Sequence, residues 1–350
     1  MINKDKVKGF FSGIVFAIIF GIAVIGVTAL ESPIKSTIPV VYDNIKIFVD
    51  GALIQPKDAN GEVIKPFISN GVTYLPVAAL SKALGKDVSW DGKTKSVYIG
   101  KKPDSKVEEV TVSTVNELFA ALGSNKHIKL KPGIYNLSEL KQDYNTENIH
   151  WEEVFDGKEL IMDGISNLTI EGIGNKPVEI VVEPRYANVL TFLYCDKITI
   201  KNIKAGHTIE KGHCVGGVFN FISSKNINIS ESILYGCGTY GIIAQYTENL
   251  NFSNSIIEEC TYGAMTISNC NNFKFINSIV RKCEEYSLFD INSSTNIVFS
   301  KCEVTDNKVN EVFLVNLSSG IRFANCVFKN NGSINNVLYS DIDFTGTTFN

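Results

Sequence analysis

The sequence predicts a mainly β chain. It is a right-handed parallel β-helix solenoid, preceded by a small α+β stalk domain and an N-terminal export helix. Three observations predict this. A strand motif recurs at spacings of 30, 29, 23, 23, 24, 24 and 21 residues from Leu168 onward. Hairpin signals cluster in residues 42–100, and a charge-free run follows three lysines at the N-terminus.

The N-terminal element follows from charge. Lys4, Lys6 and Lys8 precede Phe10 to Leu30, 21 residues without a charged side chain. At about 1.5 Å per residue a helix of that length spans a bilayer. The same run reads as a signal peptide, with Val27 and Ala29 at the small positions before a cleavage point. Residues 1–31 are therefore expected to be a signal peptide or membrane anchor. The remainder is expected outside the cell or on its surface, touching membrane only through this segment.

The stalk, residues 42–100, is built from turns. Ile45, Ile47 and Val49 alternate into Asp50-Gly51, and Asn70-Gly71 sits between two further apolar stretches. Val77 to Leu84 has helical spacing and stops at Gly85, and a last hairpin spans Val88 to Ile99 around Asp91-Gly92. Residues 101–110, charged and carrying Pro103, read as a linker.

The solenoid is expected over residues 111–350. Thr114 and Glu117 form a capping box for a short helix over the open end of the core, and His127 to Leu130 alternates as a first strand. The recurring pairs are Leu168/Ile170, Ile198/Ile200, Ile227/Ile229, Leu250/Phe252, Phe273/Phe275, Ile297/Phe299, Ile321/Phe323 and Ile342/Phe344. Asn directly precedes five of them, at 167, 226, 249, 272 and 296. Five positions after each pair come Leu234, Ile257, Val280, Val304 and Phe328, and another strand precedes each Asn. Units this short hold three strands and their turns, with no room for a helix. Asn, 20 of the last 125 residues, suits frequent left-handed turns and stacked amide ladders.

Two resemblances follow from these residues. Val49-Asp50-Gly51, Pro66-Phe67, Gly71 to Pro76 and Trp90 to Thr94 resemble the stalk module named after the N-terminal domain of copper amine oxidases. That resemblance implies an exported protein of the kind found in spore-forming Gram-positive bacteria. It implies no copper site, because residues 42–100 contain neither His nor Cys. The solenoid resembles the β-helix superfamily that includes pectate lyases and polygalacturonases, in its repeats and not in catalytic motifs.

Net charge −4 gives no basic excess for a phosphate backbone, which argues against a nucleic-acid partner. No P-loop, dinucleotide fingerprint, nucleophile elbow or zinc spacing occurs, so no cofactor and no metal are expected. The Asp-Asp pair and Arg-x-Lys of polygalacturonases are missing, and Gly206-His207-Thr208 stands where their Gly-His-Gly would. The column Tyr235, Glu258, Arg281, Thr305, Lys329 mixes charges, as a solvated ion-pair ladder does.

Two neighbouring coils are longer, and insertions in a solenoid become surface loops. They hold Arg185, Tyr186, His207, Glu210 and His213. Arg185 with Tyr186 would bind sugar, and His207, His213 or Glu210 would move a proton. Tyr235, Tyr240, Tyr246 and Tyr262 are candidates for stacking on sugar rings, or half-buried anchors. Cys214, Cys237, Cys260 and Cys283 form a column best read as a buried packing ladder of free thiols. The function expected is an exported, envelope-associated protein that binds polysaccharide or serves as a surface structure. The alternative is a polysaccharide lyase acting on acidic polysaccharide, so whether it is an enzyme stays open at this point.

Overall fold

The computed structural model describes residues 37–57, 61–92, 96–100, 106–143, 145–210, 215–236, 238–334 and 342–350. The expected export segment, His213, Cys214 and Cys237 lie outside the described residues. Among those described, no helix is long and apolar enough to cross a membrane. The chain divides into two units, Met1–Asp104 and Ser105–Asn350.

The first unit holds the three hairpins read from its turns. Strands Ile47–Val49 and Ala52–Ile54 pair antiparallel across Asp50 and Gly51, which adopt φ of 47° and 79°. Phe67–Ser69 pairs with Val72–Tyr74 across Asn70 and Gly71, at 51° and 78°. Two successive positive φ values are what Asp-Gly and Asn-Gly tolerate best. Helix α1, Val77–Ala83, ends before Gly85 at φ 67°, and Val88–Asp91 pairs with Ser96–Ile99.

The second unit is the solenoid. Each coil passes through three parallel sheets in turn, here I, II and III, with 10, 9 and 8 strands among the described residues. The columns read from the sequence are its registers. In sheet I, Leu168 pairs with Ile198, Ile198 with Ile227, Ile227 with Leu250, Leu250 with Phe273 and Phe273 with Ile297. In sheet II, Leu234, Ile257, Val280, Val304 and Phe328 follow one another. In sheet III, Phe219 opposes Ile242, then Met265, Phe289 and Phe313. Like positions stack because successive coils lie about 4.8 Å apart. Phe275, Phe299 and Phe323 accordingly stack face to face, with ring centroids 4.4 and 4.3 Å apart.

The solenoid starts earlier than the alternation at His127 suggests. Glu108–Val112, which begins inside the expected linker, is already a strand of sheet I, parallel to Lys126–Leu130. Its run of acidic residues disguised it, since Glu108 and Glu109 face solvent and pair with Lys126 and Lys129. Helix α2, Val115–Ala121, follows it and buries Val115, Leu118 and Ala121. Thr114 caps Glu117 as expected, but the Glu117 carboxylate reaches one residue further back, to the amide and hydroxyl of Ser113.

Each corner uses one device. A small polar side chain accepts the amide of its counterpart one coil earlier and donates to the carbonyl two residues before it. Ser232, Ser255 and Ser278 do this between sheets I and II. Ser224, Cys270 and Ser294 belong to the same kind of ladder between sheets III and I. Cys260 and Cys283 belong to a third, between sheets II and III, whose next member is Asn307. Among the described members of the cysteine column, Cys260 and Cys283 are therefore not only apolar packing: their thiols are buried and hydrogen-bonded like serines.

Candidate functional site

The two long connections join sheet II to sheet III. The first runs from Val182 to Leu190 and the second from His207 to Phe219. A hairpin of sheet III lies against them, with strands Ile149–Val154 and Gly157–Asp163 pairing antiparallel. This hairpin had no signal in the repeat, because it interrupts it.

Two carboxylates, one exposed and one buried, fix the first loop to the hairpin. Asp156, at its tip, accepts the amides of Arg185 (2.7 Å) and Tyr186 (3.1 Å). Glu159 is 7% exposed and accepts from the Asn188 amide, the Asn188 side chain and the Thr191 hydroxyl. Asn188 in turn accepts the amide of Gly217, and the Arg185 carbonyl accepts that of Gly216, tying one long connection to the other.

This geometry bears on one of the catalytic candidates, His207; His213 lies outside the described residues. His207 is 3% exposed, its Nε2 lies 2.9 Å from the Ala187 carbonyl, and among the described residues its buried Nδ1 has no hydrogen-bond partner. Burial lowers its pKa below the usual imidazole value, outweighing the Ala187 carbonyl and the Asp156 charge. The side chain is a structural post between the two connections, out of reach of a polymer. Arg185 and Tyr186 are half-buried, Tyr186 against the exposed Phe155 at 4.9 Å, and Glu210 is exposed. Arg185, His207 and Glu210 thus do not form an open group around one reacting position.

Tyr235 is likewise an anchor. On sheet II its ring lies 4.3 Å under the Lys204 ammonium and its hydroxyl 3.5 Å from Glu179. Burial, then the Glu179 charge, pushes its pKa up to about 12. In the same column Arg281 pairs with Glu258 at 2.7 Å, and beside it Lys282 pairs with Glu259, as an ion-pair ladder should. Among the described residues no group of three His, Cys, Asp or Glu is placed to hold a metal ion.

Tyr240 is different. It opens a strand of sheet III, and its ring meets Tyr262 edge to face at 6.5 Å. Tyr262 meets Tyr286 of the following coil at 4.6 Å. Three successive coils therefore each contribute one tyrosine where the chain enters sheet III, and Tyr286 is 52% exposed. Gly263 makes room: a Cβ there would lie 3.1 Å from the Tyr240 ring and 2.2 Å from the Ser287 carbonyl. Beside the ladder, Thr266 donates to Asp290, and Ser287 donates to Glu311 at 2.7 Å. Burial raises the pKa of Asp290, Thr266 opposes the shift and Glu311 adds to it. Burial, with the charges of Asp290, Tyr262 and Tyr286, pushes Tyr240 up to about 12. Tyr240 and Tyr262 were legible as candidates, whereas Tyr286, Asp290 and Glu311 sit in coils whose longer strands blur the column.

Fold and corners together define a right-handed parallel β-helix. The family model for the right-handed β-helix region matches residues 165–349, and the chain belongs to that family. The model for the copper amine oxidase N-terminal domain matches residues 58–133, which carries it past the first unit into α2 and the strand after it. No curated protein matches the sequence. Solved structures similar to the chain include a putative glycosyl hydrolase from Parabacteroides merdae, 14% identical over 50% of this chain and 80% of that one, TM-score 0.31. A pectate lyase is 12% identical over 70% and 80%, TM-score 0.33. A rhamnogalacturonan lyase is 10% identical over 64% and 74%, TM-score 0.34.

Proposed function

We propose that the protein is an exported, envelope-associated β-helix protein that binds polysaccharide along the tyrosine ladder of sheet III, with the N-terminal unit as its stalk. The observation that carries this reading is the Tyr240–Tyr262–Tyr286 ladder, one ring per coil, beside Thr266, Asp290 and Glu311. Sugar rings present apolar C–H faces and polar edges, and tyrosines flanked by hydrogen-bonding side chains complement both. Burial of His207 removes one of the candidate proton acceptors of the lyase reading. Electrophoresis through gels containing candidate polysaccharides tests binding. Retardation is expected, and Tyr286→Ala should weaken it about tenfold, the equivalent of about 1.4 kcal/mol. Migration unchanged by every polysaccharide tried would end this reading.

A further inference from the structure

We propose that the tyrosine ladder takes a polysaccharide bearing free amines, a partly de-N-acetylated hexosamine chain, rather than a uronic acid chain. The proposal rests on the polysaccharide-binding reading and specifies the ligand's charge.

Asp290 and Glu311 lie on adjoining strands of sheet III, both half-buried. Each holds one hydroxyl, from Thr266 and Ser287 respectively, and a carboxylate has room for further donors. Among the described residues no lysine or arginine pairs with either. Burial, with the Glu311 charge, raises the pKa of Asp290, so this carboxylate stands to gain from a cation. An ammonium group hydrogen-bonded to either carboxylate would offset its charge and gain a charge-assisted hydrogen bond. The rings beside the carboxylates favour a cation as well, through their electron-rich faces. A uronate would add a third negative charge to a partly desolvated acidic site. Coil spacing supports a chain ligand: a rise of about 4.8 Å per coil is close to the length of one β-linked pyranose. The polymer would then run parallel to the solenoid axis, one sugar per tyrosine.

The test is titration calorimetry of the exported chain with soluble oligomers of chitosan, of fully N-acetylated chitin and of polygalacturonate, in weakly acidic buffer. The amine-bearing oligomer should bind at least about tenfold more tightly than the other two. Asp290→Asn and Glu311→Gln should each erase most of that preference with the unfolding midpoint kept. Glu259→Gln, an acidic position on another face, should leave it intact. Equal binding of the amine and its N-acetylated form, or an equal effect of Glu259→Gln, overturns the proposal. Tightest binding of polygalacturonate, weakened by Tyr286→Ala, overturns it while the polysaccharide reading stands. Binding of none overturns both.

Discussion

The Asn249 side chain donates to the side-chain Oδ1 of Asn226 at 3.1 Å, one coil away, and both residues have φ of 58°. Asn272 donates to Asn249 in turn, at 2.7 Å. Left-handed backbone and a stacked amide are thus required of the same residue. Asn249→Ala should cost about 1–2 kcal/mol, from lost hydrogen bonds and an alanine forced into left-handed geometry. Because solenoid coils are coupled mainly to their neighbours, faster amide exchange should be confined to the adjoining coils. Uniform acceleration across the solenoid would contradict this.

The corner thiols should be reduced. Cys195, Cys260, Cys270, Cys283, Cys302 and Cys326 are buried and form no disulfide with one another. Denaturation without reductant should expose at least these six to a thiol reagent. Cys260→Asp should cost more than about 2 kcal/mol, since it buries a charge at a corner built for one weak donor. Burial pushes Cys195 up to about 12 and Cys270 to about 11 from 9.0. The unfolded chain therefore ionises first, and stability should fall as pH rises from 9 toward those values.

Glu171 gives the opposite sign. Burial would raise its carboxyl, but hydrogen bonds from His127 (2.8 Å) and Lys201 (3.1 Å) outweigh it and hold the pKa below 4.5. A depressed carboxylate stabilises the fold above its unfolded value and loses that contribution as pH falls through the native one. The difference in unfolding midpoint between wild type and Glu171→Gln should be largest near neutrality and shrink below pH 4.5. A difference that grows in acid would refute the assignment.

The hairpin over the long connections should depend on Glu159. Glu159→Ala leaves buried donors of Asn188 and Thr191 without their acceptor and should cost about 2–3 kcal/mol. Protease nicking should rise within Ile149–Asp163 while the phenylalanine stacks of later coils stay protected.

Repetition explains what was legible in the sequence. Apolar pairs after Asn, such as Leu250/Phe252, recur because each coil must bury the same positions against the next, and that fixed class and register together. The Asp-Gly and Asn-Gly turns of the stalk are local and needed no tertiary information. Glu108–Val112 was hidden because an outer strand facing solvent carries charges like a linker. The hairpin at 149–163 and the ladder partners Tyr286, Asp290 and Glu311 were hidden because they depart from the repeat. His207 misled for a related reason: spacing places it at a loop, and only three-dimensional packing reveals that it is buried against Ala187 of the other connection.

The most direct measurement is a crystal structure of the protein grown with a bound oligosaccharide. The account predicts a sugar ring against the exposed face of Tyr286, with neighbouring rings following Tyr262 and Tyr240 along the solenoid axis and polar edges toward Asp290 and Glu311. An oligosaccharide seated instead on the long connections, against Arg185 and Phe155 with the ladder bare, would contradict it.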